Sequence, residues 1–212
     1  MWRADLRTVT DAVLASLSAS ERERAGRFPH ETDGLLWARA RGVLRALLGR
    51  YLDVEPATIE FRVDRQGKPK LAPRVCGAPP SFNVSHSAPL ALYAFTEAGV
   101  VGVDVEIARE RAIDSVAIAT RAFGAQEGRR LAGLEPAERE RQFLRAWTRR
   151  EAALKCRGIG IGGAAEAQGR DLAGVPPGAQ LCVRDLDLGV GAVGAAALSA
   201  RPGQLLCWAW RG

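Results

Sequence analysis

Apolar residues recur at helical spacing at Leu36, Ala40, Val43, Leu44, Leu47, Leu48 and Tyr51, which predicts a helix over residues 31–51. Ahead of it, Val13, Leu14 and Leu17 give a shorter helical period. Ser20, three residues before Glu23, has the spacing of a capping box and predicts an arginine-rich helical segment over residues 21–28. Residues 2–6 read as a short strand. Ile59, Phe61 and Val63 alternate as in a half-buried strand, followed by a turn at Asp64-Arg65-Gln66-Gly67. Three further strands are predicted at 82–84, 90–96 and 100–106, the last two joined as a hairpin through Glu97-Ala98-Gly99.

Beyond residue 106 the pattern turns helical again. Asp114 is placed to cap a helix ending near Phe123. Glu135-Pro136 opens a long one reaching Arg157, with Gly158 as its stop. The Gly/Ala-rich residues 158–177 read as loop, and strand patterns return at 181–183, 192–198 and 205–210. Helices followed by strands thus occur twice. This predicts an α+β fold of two halves, residues 1–99 and 100–212.

Composition narrows the function classes. The 212 residues are 47% hydrophobic and 25% charged, a globular balance. No window reaches the ~18 consecutive apolar residues of a membrane span, and Met1-Trp2-Arg3-Ala4-Asp5 lacks the basic-then-apolar order of a signal peptide. The expectation is a soluble cytoplasmic protein. Cys76, Cys156, Cys182 and Cys207 form no CxxC pair, which argues against zinc and for reduced thiols. A net charge of +6 suits a polyanionic partner: nucleic acid, a phosphorylated cofactor or an acidic protein. The basic residues are dispersed arginines without interleaved aromatics, so nucleic acid is not the expected partner.

The candidate chemistry lies in two acidic motifs. In Gly102-Val103-Asp104-Val105-Glu106, strand alternation puts both carboxylates on one face. In Trp147-Thr148-Arg149-Arg150-Glu151-Ala152-Ala153-Leu154-Lys155, helical spacing aligns Trp147, Glu151 and Lys155. Taken singly, each has a plain structural reading: a strand end emerging into solvent, and an exposed i,i+4 pair worth ~0.2–0.5 kcal/mol. Trp147 shifts the second reading, because a tryptophan stripe packs inward and buried charges need partners or a metal. Asp104, Glu106 and Glu151 with a lysine form a donor set for Mg²⁺ in phosphoryl chemistry, Mn²⁺ being the nearest substitute. A third segment, Ser81-Phe82-Asn83-Val84-Ser85-His86-Ser87, offers hydroxyl and imidazole donors to a phosphate, or holds a structural histidine. Lys68 and Lys70 add positive charge nearby or face solvent.

Together, Phe82–Ser87, Gly102–Glu106 and Trp147–Lys155, with Gly67-Lys68-Pro69, resemble the 4′-phosphopantetheinyl transferases of the surfactin-synthetase-activating type. The resemblance covers most of the chain to Gly158. It implies two similar α+β half-domains, a pseudo-twofold fold, with coenzyme A in the cleft between them. It implies transfer of the 4′-phosphopantetheine arm to a serine of an apo acyl or peptidyl carrier protein, releasing adenosine 3′,5′-bisphosphate. Carried over by position, Asp104, Glu106 and Glu151 hold Mg²⁺, Glu151 serves as base, and Lys155 steadies or protonates the leaving phosphate. Lys68, Ser85 and His86 hold the 3′-phosphate of coenzyme A, with Arg24 a further candidate.

Gly34-Leu35-Leu36 stands where the family places a basic residue, for which Arg39 or Arg41 could substitute. Arg150 replaces the usual lysine before the glutamate. A second half supplied within one chain implies a monomer. Two other classes remain open on the residues alone: a Mg²⁺-dependent nucleotide hydrolase or nuclease, and a non-catalytic basic nucleic-acid-binding module.

Overall fold

The computed structural model describes residues 1–63, 69–72, 79–108, 113–159, 180–200 and 204–212. Strand β1 (Trp2–Asp5) leads through a 3₁₀ turn (Asp11–Ser16) to helices α1 (Ala19–Gly26) and α2 (Glu31–Leu52). Strands β2 (Phe61–Val63), β3 (Pro69–Leu71), β4 (Ser81–Ser87), β5 (Leu90–Thr96) and β6 (Val101–Ile107) follow. Next come helices α3 (Ser115–Phe123), α4 (Ala125–Ala132) and α5 (Pro136–Cys156), then strands β7 (Cys182–Leu186), β8 (Ala192–Leu198) and β9 (Trp208–Ala209). The predicted turn at 64–67 and most of the predicted loop at 158–177 lie outside the described residues.

Two sheets and two long helices stack in layers. The first sheet has the order β4-β5-β1-β9 and the second the order β6-β8-β7, while β2 and β3 pair separately. The apolar stripe of α2 (Ala40, Val43, Leu44, Leu47, Leu48) buries against Ala4, Ala91 and Tyr93 of the first sheet. Tyr93 is fully buried there, and its hydroxyl donates to the carbonyl of Ala40 at 3.0 Å. The opposite face of β5, Leu90, Leu92 and Ala94, packs on Val101, Val103 and Val105 of the second sheet. Each such aliphatic side chain contributes ~1.5–3 kcal/mol on burial. The far face of the second sheet receives α5 through Ala152, Cys156, Ala195 and Ala197.

Several local expectations change. The capping box belongs to Ser18 and Glu21, not Ser20 and Glu23, because Ser18 Oγ accepts from Glu21 N while Glu21 returns to Ser18 N. The expected β5–β6 hairpin does not form: β5 pairs with β4 and β1, while β6 pairs with β8. Gly99, at φ +75°, turns the chain from one sheet into the other. The hairpin lies one connection earlier, between β4 and β5 across Ala88-Pro89. Helix α4 is an addition to the sequence reading; it is short and polar, with Gly128 and Leu131 its buried residues. The last strand shrinks to Trp208–Ala209 and runs parallel to β1, so the C-terminal end completes the first sheet.

Candidate active site

Strand β6 forms one wall of the site. Its valines point to the core between the sheets, which turns Gly102, Asp104 and Glu106 toward α5. A Cβ on Gly102 would run into the Ala152 carbonyl and the Cys156 backbone, so glycine is what lets the helix come close. That approach carries Lys155 onto the strand. Its ammonium donates to Asp104 Oδ1 at 2.6 Å, Ser85 Oγ at 2.9 Å and the Val103 carbonyl at 3.2 Å. Ser85 Oγ in turn donates to Asp104 Oδ1 at 2.9 Å. The pair is largely buried, the Asp104 side chain at 7% exposure and that of Lys155 at 20%.

Glu151 stands one helical turn before Lys155 and is buried, with the Arg150 guanidinium 3.9 Å from its Oε1. Arg150 is held over the rings of Phe123 and Trp147, each centroid 5.9 Å away. Trp147 packs into a cluster with Phe143, Leu144 and Leu131, so its stripe does face inward. Glu106 is half-buried and accepts from Ser87 Oγ at 3.3 Å.

Among the described residues, no three carboxylate, histidine or cysteine side chains are gathered as a metal cage, and the Lys155 ammonium sits on Asp104. The donor chemistry nonetheless fits a hard divalent cation. Asp104 Oδ2 is buried without a hydrogen bond among the described residues, an arrangement that costs ~1–3 kcal/mol unless a donor or cation meets it. All three candidate ligands are carboxylates, carried on β6 and on the helix packed against it.

The opposite face of β4 borders a second site. A cavity of about 180 Å³ is lined by Arg24, Trp37, Arg41, Pro69, Val84 and His86. Arg41 is half-buried against Phe61 (4.7 Å) and Trp37 (5.5 Å) and lies 3.5 Å from Glu21. Its Nη1 is buried without a hydrogen bond among the described residues. Burial lowers the Arg41 pKa, Glu21 opposes this, and Arg24 and Arg45 add repulsion. The His86 ring reaches solvent at the cavity. Its pKa falls below the usual 6.5, first through desolvation by surrounding protein, then through repulsion from Lys155 and Arg41. A cavity edged by two guanidiniums and an imidazole, with a donor unused, is built for an anion.

The structure thus brings Arg24, Arg41 and His86 together and separates Ser85 from them by the thickness of the strand. Arg39 is engaged elsewhere, donating to Asp11 Oδ1 at 2.9 Å and the Leu6 carbonyl at 3.1 Å. Lys68 lies outside the described residues. Lys70 edges a larger cavity of about 460 Å³ on the Lys155 side, shared with Phe82, Asn83, Val100 and Gly158. The sequence pattern suggests Ser87 only as one of several hydroxyl donors to a phosphate, and gives no role to Asn83 or Trp37. The polar alternation Asn83, Ser85, Ser87 within a strand was the available signal for the first two.

Residues 100–181 match the model of the 4′-phosphopantetheinyl transferase superfamily, and residues 1–97 match that of the 4′-phosphopantetheinyl transferase N-terminal region. The 4′-phosphopantetheinyl transferase HetI of Nostoc sp. is 36% identical over 164 residues, covering 76% of this chain and 69% of that protein. The 4′-phosphopantetheinyl transferase AcpT of Escherichia coli is 33% identical over 158 residues, 74% of each chain. A 4′-phosphopantetheinyl transferase of Bacillus subtilis is 29% identical over 153 residues, 71% of this chain and 64% of that one. With relatives at this identity and coverage, and models matching on both sides of residue 99, the chain belongs to the 4′-phosphopantetheinyl transferase superfamily.

Proposed function

We propose that this protein transfers the 4′-phosphopantetheine moiety of coenzyme A to a serine of an apo acyl or peptidyl carrier protein, as an enzyme of the surfactin-synthetase-activating type. The observation that carries the reading is the buried contact of Lys155 with Asp104, with an anion-shaped cavity on the other face of the same strand β4. The two sites suit the two ends of one ligand: a pyrophosphate at the carboxylate–lysine end and a 3′-phosphate at the Arg24, Arg41 and His86 end. Two α+β halves, 1–99 and 100–212, would then share the ligand across the β4–β6 seam.

Asp104, Glu106 and Glu151 would hold Mg²⁺, with Lys155 withdrawn from Asp104 toward the leaving phosphate. When bound, Mg²⁺ supplies charge neutralisation on the pyrophosphate oxygens and favours in-line geometry. Glu151, buried beside the Arg150 guanidinium, takes the proton of the carrier serine, directly or through a water it orients. The serine oxygen bonds to the phosphorus bearing the pantetheine arm as the pyrophosphate bridge breaks. Lys155 Nζ stabilises the oxygen left on adenosine 3′,5′-bisphosphate and can protonate it. The net charge of +6 favours encounter with an acidic carrier.

The test is incubation with coenzyme A, Mg²⁺ and a panel of apo-carriers, read by mass spectrometry. The expected result is one phosphopantetheine added per carrier, lost in Glu151→Gln with the fold intact. Failure of the folded wild-type protein on every acyl and peptidyl carrier would overturn the reading.

A further inference from the structure

We infer that Asn83, Ser85 and Ser87 form a positioning comb on β4 that sets the orientation of the Asp104 and Glu106 carboxylates. Ser85 then serves the carboxylate end of the site, not the 3′-phosphate end. The inference rests on the metal reading of those carboxylates proposed above.

Strands β4 and β6 are edge strands of different sheets, and they meet without pairing to each other. Alternate residues of β4, at Asn83, Ser85 and Ser87, point toward the second sheet together with Ala94, Leu92 and Leu90 opposite them. These side chains take the place of a backbone ladder. Asn83 Oδ1 accepts from Val103 N at 2.9 Å, and Ser87 Oγ accepts from Ile107 N at 3.2 Å. Between those anchors, Ser85 Oγ donates to Asp104 Oδ1 at 2.9 Å and Ser87 Oγ donates to Glu106 Oε2 at 3.3 Å.

The direction of each hydroxyl proton is fixed by its other contact. Ser85 Oγ receives a hydrogen from Lys155 Nζ, and Ser87 Oγ receives one from Ile107 N. Each serine therefore presents its own hydrogen to a carboxylate. For Asp104 this engages Oδ1 and leaves Oδ2, buried and without a hydrogen bond among the described residues, as the oxygen available to a cation. Groups that orient ligating carboxylates in this way change metal affinity strongly when removed. Ser85 is buried and faces away from the cavity of Arg24, Arg41 and His86, so it has no route to an anion there.

The experiment measures Mn²⁺ binding to the full chain without substrates, by electron paramagnetic resonance, for wild type, Asp104→Ala, Ser85→Ala and Ser87→Ala. The wild-type signal should be lost in Asp104→Ala, and each serine variant should bind about 10-fold or more weakly. In turnover, the loss in Ser85→Ala should be the same with coenzyme A and with 3′-dephospho-coenzyme A. Wild-type binding with both folded serine variants unchanged would overturn the comb alone. A Ser85→Ala defect that vanishes with the dephospho substrate would do the same, by returning Ser85 to the phosphate. A wild-type chain with no Mn²⁺ signal dependent on Asp104 would overturn the metal reading beneath it. If Ser85→Ala fails to fold, half-buried Ser87 carries the comparison alone, and unchanged Mn²⁺ affinity in Ser87→Ala then refutes the comb.

Discussion

Replacing Lys155 by methionine tests the heart of the site. The substitution keeps an unbranched stem but removes the ammonium 2.6 Å from Asp104 Oδ1. What remains for that carboxylate is the Ser85 hydroxyl on the same oxygen, with Oδ2 still lacking a hydrogen bond among the described residues. Breaking a buried ion pair from one side costs ~3–5 kcal/mol. Lys155 retains 20% exposure, so its loss belongs at the lower end, about 3 kcal/mol, or a fall in Tm of about 6–12 °C for a chain of this length.

The reverse change, Asp104→Asn, should cost less, about 1–2 kcal/mol, because a partly exposed ammonium can turn to water while a carboxylate at 7% exposure cannot. Urea unfolding of wild type, both single variants and the double variant gives the coupling. The double variant should be more stable than the sum predicts by about 1 kcal/mol or more. Mg²⁺ at 100-fold over the dissociation constant of Lys155→Met should then stabilise that variant by about 2.7 kcal/mol in total, and wild type by less at the same concentration. A Lys155→Met variant within about 0.5 kcal/mol of wild type, or strict additivity in the cycle, would refute the reasoning.

Other outcomes follow from the same geometry. Arg45 is buried and donates to Glu21 Oε2, the Pro56 carbonyl and the Ile59 carbonyl at 2.8–2.9 Å, so Arg45→Met should cost about 3 kcal/mol or more in urea unfolding; a loss below about 1 kcal/mol would contradict this. Gly102→Ala should lose at least about 1–3 kcal/mol and weaken Mn²⁺ binding, since the new Cβ meets helix backbone that cannot rotate away; wild-type stability and binding together would contradict the close approach. The His86 pKa is lowered in the folded chain, so below the usual 6.5 the unfolded chain binds more protons and stability falls as pH drops through that window. A phosphate in the cavity reverses the preference. Binding of adenosine 3′,5′-bisphosphate near pH 6.5 should therefore take up a proton in wild type but not in His86→Ala, read as buffer-dependent heat in calorimetry; equal uptake in both would remove His86 from the site.

What the sequence made legible was whatever depends on local period. The stripe of α2, the alternation of valines with Asp104 and Glu106, and the Trp147–Glu151–Lys155 spacing all survive folding, because burial on one face is imposed residue by residue. Strand partners are not local in this way. The turn at Gly99 carries every short-range mark of a hairpin, yet β6 finds its partner in β8, about a hundred residues later and built largely of alanine and glycine. β9 pairs with β1 from the far end of the chain, through a two-residue register that no period reveals. Which of Arg39 and Arg41 lines the cavity is likewise set by tertiary packing: two residues apart on one helix, they face different directions, Arg41 into the cavity and Arg39 onto Asp11.

Ser85 and His86 show where a period that was available could have been applied further. Adjacent in sequence, they look like one phosphate-binding unit, and the family pattern encourages that grouping. In a strand, however, neighbours point to opposite faces. The alternation that separates Val103 and Val105 from Asp104 and Glu106 also separates Asn83, Ser85 and Ser87 from Phe82, Val84 and His86. One face of β4 reaches across to the edge of β6 and holds its carboxylates. The other turns His86 toward Arg24 and Arg41. A single edge strand can thus serve two subsites whose charges are opposite, carboxylates on one side and guanidiniums on the other, without the two neutralising each other. A one-residue shift of β4 against β5 would exchange the faces, placing imidazole against Asp104 and hydroxyls against Arg41. The register of Ser85 with Leu92 and His86 with Ala91 is therefore as much a part of the site as the charged residues it sorts.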